Sequence, residues 1–113
     1  MRIPNGARAI VDDAKVYDYL LSPDHPTGRF KARVFCAVGY RRDNWQRLRD
    51  DLRALAATID AEAAQPTEFG QRWTGPGELH GPSGVPLPVL TVWLIPSGGA
   101  VPRLVTAYPA STP

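Results

Sequence analysis

The spacing of apolar residues changes at Pro66, and this change constrains the fold more than any other feature. Before Pro66, apolar side chains recur every three or four residues, which is typical of helices. After Pro66, Gly, Pro, Thr and Val dominate and no helical period continues. Helices followed by strands predict an α+β fold. We therefore expect two or three N-terminal helices packed on one face of a small antiparallel sheet.

The first and last helices have clear signals at both ends. The first begins after Asp12, a good N-cap, and ends before Pro23, because the residue preceding a proline disfavours helical dihedrals. The last begins at Asp43, also as N-cap, and is expected to continue to Pro66. Its apolar stripe consists of Trp45, Leu48, Leu52, Leu55, Ile59 and Ala63.

Residues 30–38, between these helices, fit two interpretations. Helical spacing joins Phe30, Val34, Ala37 and Val38. Alternation, as in a strand, joins Phe30, Ala32, Val34 and Cys36. Gly39 is well placed to close a helix as its C′ residue. The helix is therefore preferred, and the strand stays as the alternative.

The second half of the chain predicts a three-stranded meander. Its strands are an irregular one over residues 68–80, broken at 74–77, a central one over 87–95, and a last one over 103–108. Ala9-Ile10-Val11 is a candidate short N-terminal edge strand. The central strand is apolar on both faces, as a buried strand should be. If helices cover its Leu90-Val92-Leu94 face, Thr91 and Trp93 form an open platform for a ligand.

The length of 113 residues suits one domain with a modest core. We expect residues 1–113 to form it, with a loose lead-in over 1–7 and a loose tail over 110–113. No apolar run reaches the roughly 18 residues needed to span a bilayer, and no secretory signal is visible. These observations predict a cytoplasmic protein without a membrane partner. The single Cys36 excludes an intramolecular disulfide.

The sequence shows no motif for a metal ion or an organic cofactor. One cysteine and two distant histidines lack zinc-ligand spacing, and the acidic residues are not clustered as Mg²⁺ requires. A glycine-rich phosphate loop and a nucleophile elbow are also missing. We expect no metal and no cofactor, so any nuclease activity would be metal-independent.

Positive charge is concentrated in one part of the chain. Residues 25–53 carry eight Arg or Lys against three Asp, whereas residues 54–102 carry one Arg against four acids. Eleven of the thirteen basic residues are Arg, which suits bidentate phosphate contacts. A GC-rich genome would explain the arginine excess equally well, so charge alone does not identify a nucleic-acid partner.

The stretch from Ser22 to Phe35 places a proton-transfer group beside fixed positive charge. His25 lies between two prolines, and Lys31 follows six residues later. Imidazole transfers protons near neutral pH, and Lys or Arg can stabilise charge on phosphate oxygens. The last strand adds Arg103 and Thr106. The candidate catalytic residues are therefore His25, Lys31, Arg103 and Thr106, and the matching reaction is RNA transesterification through attack of the 2′-hydroxyl.

The candidate substrate-binding residues are Arg29, Arg33, Thr91, Trp93 and Tyr108. The arginines and hydroxyls would contact phosphates, and Trp93 would stack on a base. Each residue also has an ordinary interpretation. Trp93 fits a core position, the arginines fit a solvated helix face, and His25 fits a turn that hydrogen-bonds the backbone.

Several stretches together resemble a known family. They are Tyr19-Leu-Leu-Ser-Pro-Asp-His-Pro-Thr-Gly-Arg-Phe-Lys-Ala-Arg-Val-Phe35, Gly39-Tyr40, Gly81-Pro-Ser-Gly84, Thr91-Val-Trp93 and Pro102-Arg-Leu-Val-Thr-Ala-Tyr108. They resemble a family of small bacterial domains of unknown function over nearly the whole chain. Such domains occur alone, often beside a short partner protein. Similar domains lie at the C-termini of larger phage-like or polymorphic-toxin proteins.

At the level of the fold, the chain also resembles the barnase–EndoU–colicin–RelE class of ribonucleases. Members of that class are typically toxins neutralised by a tightly bound partner. The resemblance implies an RNA substrate and a small cognate protein of the antitoxin or immunity type. The chain departs from what such a site needs, because no second histidine is paired with His25 and no glutamate is an obvious base.

Two hypotheses follow from these observations. The first is a metal-independent ribonuclease toxin controlled by a small cognate partner. The second is a non-catalytic interaction module, either the partner or neutralising subunit of a two-gene system or a phage-associated adaptor. The sequence leaves open whether the domain is an enzyme.

Overall fold

The computed structural model describes residues 1–110, which form three helical segments followed by a four-stranded antiparallel sheet. Helix α1 spans Asp13–Lys15 and continues as a π-helical turn over Val16–Leu20, α2 spans Gly28–Ala37, and α3 spans Trp45–Thr58. The strands are β1 (Glu62–Ala63), β2 (Gly70–His80), β3 (Pro86–Pro96) and β4 (Arg103–Pro109), in that order across the sheet. The predicted α+β fold is confirmed. Of the predicted loose tail, residues 110–113, the part from Ser111 onward lies outside the described residues.

One core fills the space between α3 and the sheet. Leu48, Leu52 and Ala56 of α3 are buried together with Trp73 of β2 and Trp93 of β3. Close approach of α3, and of the segment that follows it, to the sheet is helped by two glycines of β2. A Cβ on Gly75 would lie 2.9 Å from the Asp60 carbonyl oxygen, and a Cβ on Gly77 would lie 3.0 Å from a Leu55 methyl.

The helices cover the opposite face of β3 from the one predicted. Thr91 and Trp93 are fully buried, whereas Leu90 is 41% exposed. The polar atoms of this pair are satisfied inside the core, because Trp93 Nε1 donates to Thr91 Oγ1 at 2.9 Å and Thr91 Oγ1 donates to the Gly75 carbonyl at 3.0 Å. The predicted open platform of Thr91 and Trp93 is therefore wrong.

Residues 30–37 are helical, as preferred, and Val38 is the C-cap. Helix α2 ends in a Schellman motif, in which Gly39 N–H bonds to the Cys36 carbonyl at 3.0 Å and Tyr40 N–H bonds to the Phe35 carbonyl at 3.1 Å. Gly39 has a φ of +99°, which only glycine adopts at little cost. The edge-to-face contact of Phe35 with Tyr40 completes the motif.

Helix α3 is shorter than its propensity predicts. The alanine-rich segment after Thr58 leaves the helix, and Glu62–Ala63 pair with Trp73 and Thr74 of β2. Ile59 and Ala61 are buried in this extended conformation. Burial and pairing at a sheet edge thus outweigh an intrinsic helix preference that is worth only tenths of a kcal/mol per residue.

Strand β2 is continuous, although residues 74–77 were expected to break it. Eleven residues pair with β3 without a register shift, from Gly70 opposite Pro96 to His80 opposite Pro86. On the side of β2 away from β3, Trp73 and Thr74 pair with β1. The rest of that side is a sheet edge, where a proline is tolerated. Pro76 therefore fits the strand, and the flanking glycines serve packing rather than a turn.

The N-terminal residues are packed rather than loose. Ile3 belongs to the core, and Gly6 contacts α3 so closely that a Cβ would lie 2.1 Å from the Ala56 carbonyl oxygen. Of the expected Ala9–Val11 strand, the structure shows one parallel bridge, from Ile10 to Arg103. Within residues 1–110, no helix is both long and apolar enough to cross a bilayer.

A β-bulge in β4 decides which side chains face the helices. Trp93 pairs with Leu104, but Val92 pairs with Thr106, so Val105 is the extra residue. Directly paired residues share a face. Leu104 therefore points into the core, whereas Arg103 and Thr106, although three residues apart, both lie on the face opposite Trp93. Simple alternation instead predicts Thr106 beside Leu104 and away from Arg103.

Candidate active site

The end of α1 and the start of α2 are in direct backbone contact. Gly28 opens α2 against Tyr19, and a Cβ at Gly28 would lie 2.0 Å from the Tyr19 carbonyl oxygen. Tyr19 lies in the π-helical turn, where the Leu21 N–H bonds to the Val16 carbonyl at 2.9 Å. Such turns are frequent at functional sites because they redirect side chains. Here the turn brings the Tyr19 ring alongside α2.

Three polar side chains from three elements converge beside this contact. Lys31 Nζ donates to Tyr19 Oη and also to Thr106 Oγ1, the latter at 2.7 Å. The Tyr19 and Thr106 hydroxyls are 3.1 Å apart. The ammonium also lies 4.3 Å from the centre of the Tyr108 ring, a cation–π contact. We call Tyr19, Lys31 and Thr106 the hydroxyl–lysine cluster.

The cluster changes the acidity of Tyr19. Partial burial raises the pKa of the phenol, but hydrogen bonds from Lys31 and Thr106 and the positive charges of Lys31 and Lys15 together lower it below its ordinary value. The Lys15 ammonium lies 5.6 Å from the ring centre. A larger fraction of Tyr19 is therefore phenolate at a given pH than in an isolated tyrosine.

His25 is held beside the cluster by the start of α2. Its Nδ1 accepts the backbone N–H of Gly28 at 2.9 Å and that of Thr27 at 3.1 Å, so the imidazole caps the helix. An accepting Nδ1 carries no hydrogen, so Nε2 bears it in the neutral ring. The ring packs edge-to-face on Tyr19, with centroids 4.8 Å apart. His25 thus combines the turn role with a ring N–H, at Nε2, that the cap does not use.

An open cleft of about 1170 Å³ joins these groups. Tyr19, His25, Val105 and Thr106 line it, whereas Lys31 lies behind Tyr19 and Thr106 and is not a lining residue. The other lining residues come from α1, its π-helical turn and the chain before them. Those residues include Asp12, Asp13, Lys15 and Asp18. Within the described residues, no three His, Cys, Asp or Glu side chains are grouped closely enough to hold a metal ion.

The structure brings some of the predicted catalytic residues together and leaves one apart. Lys31 and Thr106 are in contact, and His25 adjoins them through Tyr19. Arg103 shares the sheet face with Thr106, but its Nε lies 3.5 Å from Asp12 Oδ2, away from the cluster. Asp12, expected only as a helix cap, makes no side-chain capping bond and instead pairs with this arginine.

The predicted substrate-binding residues separate into three places. Tyr108 lies at the cluster and is 51% exposed. Arg29 and Arg33 lie on the other side of α2, where both guanidinium groups stack on Phe30 at 4.8 and 5.9 Å. Thr91 and Trp93 are in the core, without surface for a ligand.

Tyr19 is the residue that the sequence analysis missed. Its position follows from the π-helical turn, which departs from the 3.6-residue period and hides the side chain from a periodicity argument. The available signal was its place at the beginning of the Tyr19–Phe35 stretch, which carries the family resemblance.

A sequence profile described as a domain of unknown function, DUF6883, matches residues 2–111. The chain belongs to this family. The predicted membership of a family of domains of unknown function is thereby confirmed. A comparison with curated proteins gives no match.

Among solved structures, this DUF6883 domain is similar to a chain of the contact-dependent growth inhibition toxin–immunity protein complex from Klebsiella pneumoniae 342. The two chains superpose with a TM-score of 0.72 at 19% sequence identity, over 96% of this chain and 98% of that chain. At this identity the likeness shows a shared fold, and the similarity extends over nearly the whole of both chains.

Proposed function

We propose that this domain is a metal-independent ribonuclease-type toxin, controlled by a small cognate partner protein. The observation that carries the proposal is the Lys31 ammonium held between the hydroxyls of Tyr19 and Thr106, two residues that line an open cleft. A phenol whose pKa is lowered by a neighbouring ammonium is a suitable general base. The toxin–immunity complex with the same fold supports the biological role.

The proposed reaction assigns the proton transfer to Tyr19 rather than to His25. The Tyr19 phenolate takes the proton of the RNA 2′-hydroxyl, and the 2′-oxygen attacks the adjacent phosphorus. The bond from phosphorus to the 5′-oxygen breaks, leaving a 2′,3′-cyclic phosphate. The leaving oxygen takes a proton from water, and Tyr19 returns its proton to the resulting hydroxide. Lys31 stabilises both the phenolate and the charge on the phosphate oxygens.

His25 has a different role in this scheme. Its Nδ1 is occupied by two backbone N–H groups, so it cannot accept a substrate proton there without losing the cap. Its Nε2–H can donate to a non-bridging phosphate oxygen. His25 therefore orients the phosphate, and replacing it removes both that donor and the helix cap.

The first experiment compares RNA cleavage by purified variants that differ by single groups. Tyr19→Phe should reduce cleavage by about 10²- to 10⁴-fold, the range for loss of an acid–base group. Lys31→Met should reduce it by about 10²- to 10³-fold, the range for loss of a charge-stabilising donor. Tyr17→Phe is the matched control, because Tyr17 lies on the same helix but contacts Trp45 and Arg42 instead. It should retain full activity, and products of the active proteins should end in 2′,3′-cyclic phosphate.

His25→Asn and His25→Ala separate the two roles of the histidine. Asn is a good N-cap residue and keeps an acceptor for the helix, whereas Ala keeps neither group. We expect both variants to lose activity and only Ala to lose stability, by about 0.5–2 kcal/mol.

Induced expression in bacteria tests the toxin role. The wild-type domain should arrest growth and degrade RNA, and Tyr19→Phe should do neither. Intact RNA and unimpaired growth with the wild type would refute the enzyme. The non-catalytic interaction module would then be the better hypothesis.

A further inference from the structure

A second concave surface lies on the side of α2 that faces away from the cluster. Arg29 and Arg33 are four residues apart and share one helix face, whereas Lys31, two residues from each, points elsewhere. We propose that this groove binds an acidic segment of a partner protein that also carries apolar side chains. The proposal gives the partner a surface, and it holds whether or not the domain cleaves RNA.

The rim of the groove carries a net positive charge. Arg29, Arg33, Arg41 and Arg42 line it, against one acid, Asp43. Arg42 makes a single long ion pair, 3.8 Å to Asp18. Among residues 1–110, no carboxylate lies within 4.0 Å of the other three guanidinium groups. Carboxylates of a partner would therefore gain bidentate contacts with these three groups without displacing an internal ion pair.

Aromatic rings hold three of these arginines in place. Arg29 and Arg33 both stack on Phe30, and Arg42 lies 4.3 Å from the centre of the Tyr17 ring. Because stacked guanidinium groups are already ordered, they lose less conformational freedom on binding than free side chains would. The groove is therefore pre-organised to receive carboxylates.

The floor of the groove distinguishes a protein segment from a nucleic acid. It is formed by Leu21, Pro23, Ala32 and Cys36, and its volume is about 510 Å³. Phe30 beside it is 54% exposed. Phosphates would use the charged rim alone, and the bases of a single strand stack on aromatic rings, which these four floor residues do not supply. Apolar side chains flanked by Asp or Glu would fill the floor and pair with the rim.

Cys36 provides a reporter inside the groove. It is exposed, and it is the chain's single cysteine. The rate at which iodoacetamide alkylates Cys36 therefore reports whether a ligand occupies the groove, and no other thiol contributes to the signal. RNA cleavage is not part of this measurement, so failure of the groove proposal and failure of the ribonuclease proposal are distinguishable.

The test selects, from a display library of random 12-residue peptides, those that bind the full chain. Peptides that also bind the double variant Arg29→Glu/Arg33→Glu are removed by counter-selection. We expect the selected peptides to combine Asp or Glu with Leu, Ile or Phe. A synthetic peptide from the selection should slow alkylation of Cys36 at least about tenfold. The same peptide with Gln and Asn replacing its acids is the matched control and should leave the rate unchanged.

Three results would overturn the proposal: selected peptides without acidic residues, equal binding to the charge-reversed protein, or unchanged alkylation of Cys36. A single-stranded RNA 12-mer is assayed in parallel. Protection of Cys36 by this RNA and by no peptide would assign the groove to nucleic acid instead. Circular dichroism of the charge-reversed variant, matching the wild type, establishes that the variant is folded.

Discussion

At the scale of single residues, the chemistry of the site rests on one lysine that contacts two hydroxyls. Lys31 is one of only two lysines in the chain, and both contribute to the lowered pKa of Tyr19. Lys31 contributes a hydrogen bond and a charge, and Lys15 contributes charge alone. Replacing Lys31 should therefore raise the pKa of Tyr19 more than replacing Lys15 does.

The pH dependence of cleavage should follow the Tyr19 phenol. A general base acts in its deprotonated form, so kcat/KM should rise with pH through the pKa of Tyr19. Because that pKa is lowered, the rise should occur at lower pH than for an ordinary tyrosine, whose pKa is about 10. Lys31→Met should move the rise to higher pH, and Lys15→Met should move it less.

The measurements are the pH profile of kcat/KM and the ultraviolet absorbance of tyrosinate, taken as a difference from Tyr19→Phe. Identical profiles for the wild type and Lys31→Met would contradict the assignment of Tyr19 as the base.

A second residue-scale prediction concerns the core. Thr91→Val keeps the shape of the side chain but removes the acceptor of Trp93 Nε1 and the donor to the Gly75 carbonyl. Buried polar groups without partners cost about 1–3 kcal/mol. Urea denaturation should show a loss of that size. Thr74→Val is the control, because Thr74 is half-buried and its side chain makes no hydrogen bond among the described residues. It should change the free energy of unfolding little. Equal losses for the two variants would contradict a stabilising role of the Thr91 hydrogen bonds.

At the scale of the elements, the existence of helices and strands could be predicted more reliably than their ends. Residues 28–37 and the start of α3 follow from apolar spacing and from Gly39. The end of α3 does not, because tertiary burial of Ile59 and pairing of Glu62–Ala63 override alanine propensity. The continuity of β2 was missed because Gly and Pro were interpreted as turn residues rather than as packing and edge positions.

The contact between α1 and α2 gives an element-scale prediction in which two effects oppose each other. Gly28→Ala should favour the helix by up to about 1 kcal/mol by propensity. Its Cβ, however, would lie 2.0 Å from the Tyr19 carbonyl oxygen, and backbone cannot yield as a side chain can. Overpacking of this kind costs about 1–3 kcal/mol or more. We expect net destabilisation and loss of RNA cleavage.

Gly77→Ala is the matched control for this glycine substitution. Its Cβ would meet Leu55 methyl groups at 3.0 and 3.1 Å, which can move by side-chain rotation. Thermal unfolding should therefore show a smaller loss for Gly77→Ala, with cleavage retained. A stabilised and active Gly28→Ala protein would show that the two helices are not held by this contact.

At the scale of the whole molecule, the candidate site could be predicted only in part. His25, Lys31, Thr106 and Tyr108 were identified from residue type and strand position, and the fold brings them together. Tyr19 and the separation of Arg103 could not be found from the sequence. The position of Tyr19 depends on irregular backbone, the π-helical turn, and the separation of Arg103 from the cluster depends on its ion pair with Asp12, which is distant in sequence.

The two concave surfaces of the domain use opposite sides of one helix. Lys31 contacts Tyr19 and Thr106, which line the cleft, whereas Arg29 and Arg33 line the groove. A partner seated in the groove would leave the cleft uncovered, so inhibition by such a partner would require further contacts or a shift of α2. The charge concentrated in residues 25–53 thus does not form one phosphate-binding patch: Lys31 lies at the cluster, four arginines line the groove, and Arg47, Arg49 and Arg53 lie on α3.

The hydrogen bond between Tyr19 and Thr106 spans 87 residues of sequence, and this separation has a consequence in time. At translation rates of about 5 to 20 residues per second, roughly 4 to 17 s separate the appearance of these two residues on the ribosome. Until β4 has emerged and paired with β3, Lys31 and Tyr19 lack the Thr106 hydroxyl that completes the cluster. A nascent chain therefore carries no assembled hydroxyl–lysine cluster before β4 has paired, and under the proposed ribonuclease function this delay would protect the translating ribosome.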